Sequence, residues 1–274
     1  MFGNKLFCEL SPTAYAISVK KEIYKRQLTD KMSGEKFAKT KTQEKLPFVV
    51  ATHCSNMIKR APGVDLTLQF NKAENIRLAC AGINGIVVNP GETFSFWQLV
   101  GNPSKKNGFK DGRVIHQNKI IAGTGGGLCN LSNTVHLLIL ESPMTVTEFH
   151  THSDALAPDP GKRVPLSAGT SVSYNNVDFR FKNNTDQAIQ LLMWCDGEEL
   201  KAELRSERAF DRCYEIVEED HHFAKEGEKF FRVSKIFRAV KNRETGEEVG
   251  KELIWDNHSE VMFDYDLIPT DQIR

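Results

Sequence analysis

The sequence predicts an α+β protein: N-terminal helices, a central glycine-rich loop leading into a helix, then an antiparallel β-sheet. Helical periodicity is concentrated before residue 141, alternating runs dominate after residue 144, and turn-forming dipeptides separate those runs. Helical and strand-like stretches that are segregated along the chain argue against a doubly wound parallel sheet.

The elements follow in order. Ser11-Pro12 opens a helix to about residue 30, with Ser11 as cap and Pro12 at the first helical position. Residues 31–46 read as a loop, and Leu46 to Ser55 carries a strand-like run. Asn71 to Asn84 reads as a second helix with Ile76, Leu78, Ala79 and Ile83 on its apolar side. Asn89-Pro90-Gly91-Glu92 marks a turn before the aromatic run Phe94-Ser95-Phe96-Trp97, and Asn102 to Gly108 forms an exposed polar loop with structure resuming near Val114. Leu131, Val135, Leu138 and Ile139 recur at helical spacing, with Asn130, Ser132, Asn133 and Thr134 as cap-type side chains and an end before Pro143. Alternating runs then occur at 145–150, 171–174, 177–181, 188–194 and 230–237. Asn183 to Asp186, Asp196-Gly197 and Arg243 to Glu247 supply the turns between them. Aromatic residues in these runs, Trp97 and Trp194 among them, are read as core.

Composition narrows the function classes. The 274 residues are 40% hydrophobic and 26% charged, with 36 basic and 36 acidic side chains, enough for one substantial core and a smaller unit. The expected division is a helical, basic region over 1–69, a core domain over 70–206 and a β-rich extension over 207–274 packed on it. No apolar run approaches the roughly eighteen residues of a membrane span, and no secretory h-region follows Met1 to Lys5, so a cytoplasmic, non-spanning chain is expected. Six widely spaced cysteines without a CxxC pair point to reduced thiols and no cofactor. His53-Cys54 and His221-His222 lack partners at zinc spacing, so no metal site is expected. The lysines of the first fifty residues are read as a solvated helix face plus a flexible segment. No aromatic residues interleave them, so no nucleic acid is expected as a partner.

The chemistry concentrates at Gly123-Thr124-Gly125-Gly126-Gly127-Leu128-Cys129-Asn130, followed by His150-Thr151-His152-Ser153-Asp154. Glycines let the backbone turn sharply and approach a ligand. A cysteine in the first turn of the helix meets unpaired N–H groups and a positive dipole end, which favour a thiolate and an acyl oxyanion. Cys129 is the candidate nucleophile and His152 its first partner. His150 is the substitute, and Asp154 shares their parity on a strand and orients either ring. Gly125, Gly126, Gly127 and Asn130 are candidate substrate or oxyanion donors, and Arg113 and Arg163 are candidate carboxylate clamps.

Asn89-Pro90-Gly91-Glu92-Thr93-Phe94-Ser95-Phe96, the run ending Gly125-Gly126-Gly127-Leu128-Cys129-Asn130, and His152-Ser153 with Val164-Pro165 and Gly169 resemble the signature of VanW-domain proteins, most densely over residues 84–206. The resemblance implies an accessory protein of glycopeptide (vancomycin) resistance. Some longer, extracytoplasmic proteins with this domain act as L,D-transpeptidases in which the motif cysteine attacks a stem-peptide carbonyl, a role that the resemblance would place here on Cys129. Many members carry Gln where this chain has Asn130. Two readings stay open. One is a cysteine-dependent acyl transferase or hydrolase acting on a peptidoglycan peptide or precursor. The other is a non-catalytic module that binds a cell-wall peptide or a cell-wall pathway enzyme, with Cys129 merely packed.

Overall fold

The computed structural model describes residues 6–60, 64–116, 119–152, 154–155, 158, 165–166, 169–174 and 177–274. Helix α1 runs Pro12–Met32, and the Ser11 hydroxyl accepts from Ala14 N at 3.1 Å, as the Ser-Pro pair predicts. Strand β1 covers Phe48–Asn56. Helix α2 spans Leu66–Ile83 and starts five residues earlier than its apolar periodicity suggests, because the Asp65 carboxylate caps Thr67 and Leu68. Leu78, expected on the buried side, is exposed, and Asn75 takes a buried position instead.

Short strands β2 (Ile86–Val88) and β3 (Thr93–Ser95) flank the Asn89–Glu92 turn. The short helix α3 (Phe96–Val100) follows, so the aromatic run splits between strand and helix. The hairpin β4 (Asp111–His116) and β5 (Lys119–Thr124) delivers the chain to α4 (Leu128–Leu140). The remaining strands are β6 (Thr145–Glu148), β7 (Asp154–Ala155), β8 (Arg180–Lys182), β9 (Ile189–Asp196), β10 (Glu199–Ser206), β11 (Arg212–Glu226), β12 (Lys229–Asn242) and β13 (Glu248–Val261).

Helices and strands therefore make a mixed, mostly antiparallel α+β fold. One sheet has the order β1-β10-β9-β2, a second β3-β8-β6, and a third β11-β12-β13-β7, in which only β7 runs parallel to its neighbour. The Asp196-Gly197 turn closes the β9–β10 hairpin as expected. Asn183 to Asp186 instead carries the chain from the second sheet to the first, with the Asn183 amide bonded to Val88 O and Gln187 O. Trp194, expected in the core, is exposed, with the Lys45 ammonium 5.9 Å from its ring centroid.

The main core lies between α2, α4 and the first two sheets, where Ile76, Ile83, Ile86, Leu131, Leu138, Phe94, Phe179 and Phe181 are fully buried. Leu137 and Leu140 face the other way, against Leu166 and Ile236, so α4 is clamped between the main core and the long C-terminal sheet. A helix apolar on nearly all sides is stable only in such a position.

Candidate functional site

The geometry begins on α2, whose polar residues reach the glycine loop. Asn75, 1% exposed, accepts from Lys110 N at 2.8 Å and donates to both Lys110 O and Gly126 O at 2.9 Å. Asn71 donates to Asp111 O at 2.9 Å. A buried amide with all these bonds made fixes the loop against the helix, and leaving any of them unmade would be costly. Gly126 itself lies flat on the hairpin: a Cβ there would come within 2.7 Å of Arg113 N and Gly112 O. Gly127 has φ +107° and forms the cap of α4, with no side-chain cap bond. Asn130, Ser132, Asn133 and Thr134, expected to cap, lie inside the helix.

Cys129 is the second residue of α4, so the amides of Leu128 and Cys129 take no intrahelical partner. The partly buried thiol donates to Val172 O at 3.6 Å. Burial pushes it above the ordinary thiol value, and the residue's own amide and the Lys72 ammonium act in the opposite direction. Lys72, one residue beyond Asn71 on α2, packs against the loop: a Cβ on Gly127 would run into Lys72 Cγ and sit 3.2 Å from its carbonyl oxygen. Desolvation, with the like charges of Arg113 and Lys59, lowers the Lys72 ammonium to about 8. Desolvation also lowers Arg113. No described carboxylate pairs with Lys72 or Arg113. The loop, the helix start and two cations without a described carboxylate partner therefore make an electropositive surrounding for a buried, neutral thiol.

His150 is placed differently from expectation. His150 Nε2 bonds to Glu148 Oε1 at 3.1 Å, in a cluster of Arg26, Asp30, Asp178 and Arg180, and so lies in an ion-pair network. The His152 backbone donates to Gly169 O, but the thiol's hydrogen bond goes to Val172 O and to neither imidazole. The parity argument fails because the strand breaks after Glu148: Thr151 bridges Thr170, and β7 pairs instead with β13. Arg163 and the side chain of Asp154 lie outside the described residues. The Asn130 amide is engaged with Ser55 Oγ on β1 at 3.1 Å and is not aimed at the thiol.

Two further residues explain how Val172 is held. Asn133 Oδ1 accepts from Thr170 N at 3.0 Å and from Thr170 Oγ1 at 2.8 Å, and His136 Nδ1 lies 3.0 Å from the same hydroxyl. Because Thr170 donates to Asn133, its oxygen accepts from His136, which sets the tautomer with hydrogen on Nδ1. Burial lowers His136 to about 3, so it stays neutral. Cys129, Asn133 and His136 stand at i, i+4 and i+7 on α4, and each holds the segment 170–172. Polar residues at this spacing in an apolar helix were the available sequence signal for His136, whereas nothing in the sequence around Lys72 set it apart from the other lysines. Among the described residues no three His, Cys, Asp or Glu side chains converge on a metal position.

A family model described as VanW like protein matches residues 71–205, the stretch that contains Lys72, Asn75, Arg113 and the loop ending at Cys129. Residues 71–205 are a VanW-like domain. It is 27% identical over 228 residues to the vancomycin B-type resistance protein VanW of Enterococcus faecalis, an alignment covering 83% of this chain and 82% of that protein. It is 28% identical over 168 residues to the protein YoaR of Bacillus subtilis, covering 61% of this chain and 50% of that one. No solved structure matches the chain. The family match begins at Asn71, so the α2 residues that hold the loop fall inside it and β1 falls outside.

Proposed function

We infer that this chain, with its VanW-like domain, is an accessory protein of glycopeptide resistance whose Cys129 performs acyl transfer or hydrolysis on a peptidoglycan peptide or precursor. The observation that carries the reading is Lys72: a desolvated amine lowered to about 8, without a carboxylate partner among the described residues, beside the thiol. An amine in that range is poised to exchange protons near neutral pH. In the proposed step neutral Lys72 takes the Cys129 proton while the sulfur attacks the scissile carbonyl carbon. The carbonyl C–N bond then breaks, and the leaving nitrogen takes the proton back from Lys72. An amine or water next displaces the sulfur from the thioester and gives its proton to Lys72. The amides at the start of α4 receive the oxyanion, and Arg113 receives a substrate carboxylate.

Incubation with a peptidoglycan stem peptide, followed by intact-mass measurement, tests this. The expected result is an acyl adduct on Cys129, absent in Cys129→Ala and formed at least tenfold more slowly in Lys72→Met. Equal turnover in folded Cys129→Ala would overturn it. The second reading, a peptide-binding module, is favoured by the S–H bond to Val172 O, which gives the thiol a packing role alongside Asn133 and His136. It predicts undiminished peptide binding and resistance function in Cys129→Ser.

A further inference from the structure

Helix α1 is mounted with its charged side inward. Arg26 pairs with Glu148, and Asp30 accepts from Arg180 through two bonds of 2.7 Å, so the ion-pairing face is the one docked on the domain. The opposite face carries Ile17, Tyr24, Leu28 and Met32 at spacings of seven, four and four, which are 53%, 72%, 57% and 76% exposed. Phe7 and Leu10, also exposed, continue toward the N-terminal side of that face. Lys20, Lys21, Lys25 and Lys31 lie exposed on the same side, and none forms an ion pair with a described carboxylate. A surface helix ordinarily presents its polar side to water and its apolar side to the core. Here the inward side holds Val19 and Ile23 beside the ion pairs, while four large apolar side chains stand outward among lysines with no described element covering them.

We propose that this face docks on the surface of an anionic lipid bilayer, with the helix lying flat in the interface. Apolar and tyrosine side chains flanked by lysines suit the boundary between headgroups and acyl chains, where the ammonium groups meet phosphates while the apolar side chains enter. Charge argues against a second copy of the chain, since two such faces would bring eight unpaired lysines together. The mode is peripheral: no described helix is long and apolar enough to cross a membrane. The docking reading stands on α1 alone and does not depend on the chemistry at Cys129.

Vesicle sedimentation of the full chain tests it, with phosphatidylglycerol-containing vesicles against pure phosphatidylcholine. Binding is expected to the anionic vesicles at low salt and to weaken at high salt. Each Lys→Gln change at 20, 21, 25 or 31 should reduce partitioning roughly fivefold. The exposed pair Tyr24→Ser with Leu28→Ser should reduce it at least tenfold, with the circular dichroism of the fold unchanged. Absence of binding to anionic vesicles at low salt, or unaltered binding by the serine pair, would overturn the proposal. So would a solution dimer, seen by light scattering, that the serine pair dissolves.

Discussion

Replacing Gly126 with alanine isolates the contact that places the loop. The backbone at Gly126 is not left-handed, so alanine brings no conformational strain of its own. Its Cβ, however, would press on Gly112 C and lie 2.7 Å from Gly112 O and from Arg113 N. An ordinary contact near 3.4 Å with Gly112 C, the nearest of these atoms, requires the loop and β4 to separate by about 1 Å, and both sides are backbone, so no side chain can swing away. Overpacking of this kind costs typically 1–3 kcal/mol, and the rigid partners place it near ~3 kcal/mol. Gly91→Ala is the matched control: φ is +79° with nothing within 4 Å of the added Cβ, so strain alone should cost about 1 kcal/mol. Urea unfolding of both variants measures the difference. A loop displaced by that much also carries Cys129 and Arg113 apart, so adduct formation should slow by roughly ten- to a hundredfold in Gly126→Ala. A Gly126→Ala protein no less stable than Gly91→Ala would refute the packing account of the loop.

Lys72→Met removes a desolvated cation without a described carboxylate partner and should stabilise the fold at pH 7 by on the order of 3 kcal/mol. The native ammonium releases its proton near 8 and the unfolded one near 10.5, so wild-type stability rises across that interval and the advantage of methionine fades; a variant less stable at pH 7 would mean that Lys72 is paired. His136, lowered to about 3 by burial, should show no ring titration by NMR between pH 7 and 4.5. Unfolded histidine protonates near 6.5, so this residue's contribution to stability is complete above that pH and declines as pH falls toward 3. Asp178→Ala leaves the Ser95 hydroxyl, the Trp97 N–H and Arg180 Nε without their acceptor, while Arg180 keeps Asp30, and should cost roughly 2–3 kcal/mol in urea unfolding. For Asp30, burial alone would raise the carboxyl, but the hydrogen bond and charge of Arg180 leave it below its ordinary value of 3.8. Its stabilisation is therefore present above that value and is lost as pH falls through the lower folded one, which proteolysis of α1 in acid would report.

Local chemistry was legible where one residue decides the structure. Ser11-Pro12 fixes the start of α1, Asp196-Gly197 closes a hairpin, and the glycines before Cys129 end in a helix start. Partnerships set by distant parts of the chain were not legible. The Glu148–His150 pair sits on an ion-pair network contributed by α1 and β8, and no spacing between residues 129 and 152 encodes that. Lys72 was hidden for a related reason: on its own helix it is one lysine among polar neighbours, and it becomes unusual only when Gly127 is laid against it. Leu78 and Asn75 exchange the roles that hydrophobicity assigns them because the glycine loop offers carbonyls rather than apolar surface to that part of α2.

The pairing of β1 with β10 has a consequence for how the protein is made. Phe48 lies opposite Ser206, so the strand that contributes Ser55 to Asn130 waits for a partner synthesised more than one hundred and fifty residues later. Long-range pairings of this kind form slowly, because loop closure precedes the contacts that reward it. A nascent chain exposing residues through Cys129 thus carries α4 without the sheet that packs on it, and Asn130 meets Ser55 in a paired strand only after translation passes β10. The order of synthesis therefore delays this side of the site until Ser206 has been made, although the glycine loop and its helix are complete some seventy residues earlier.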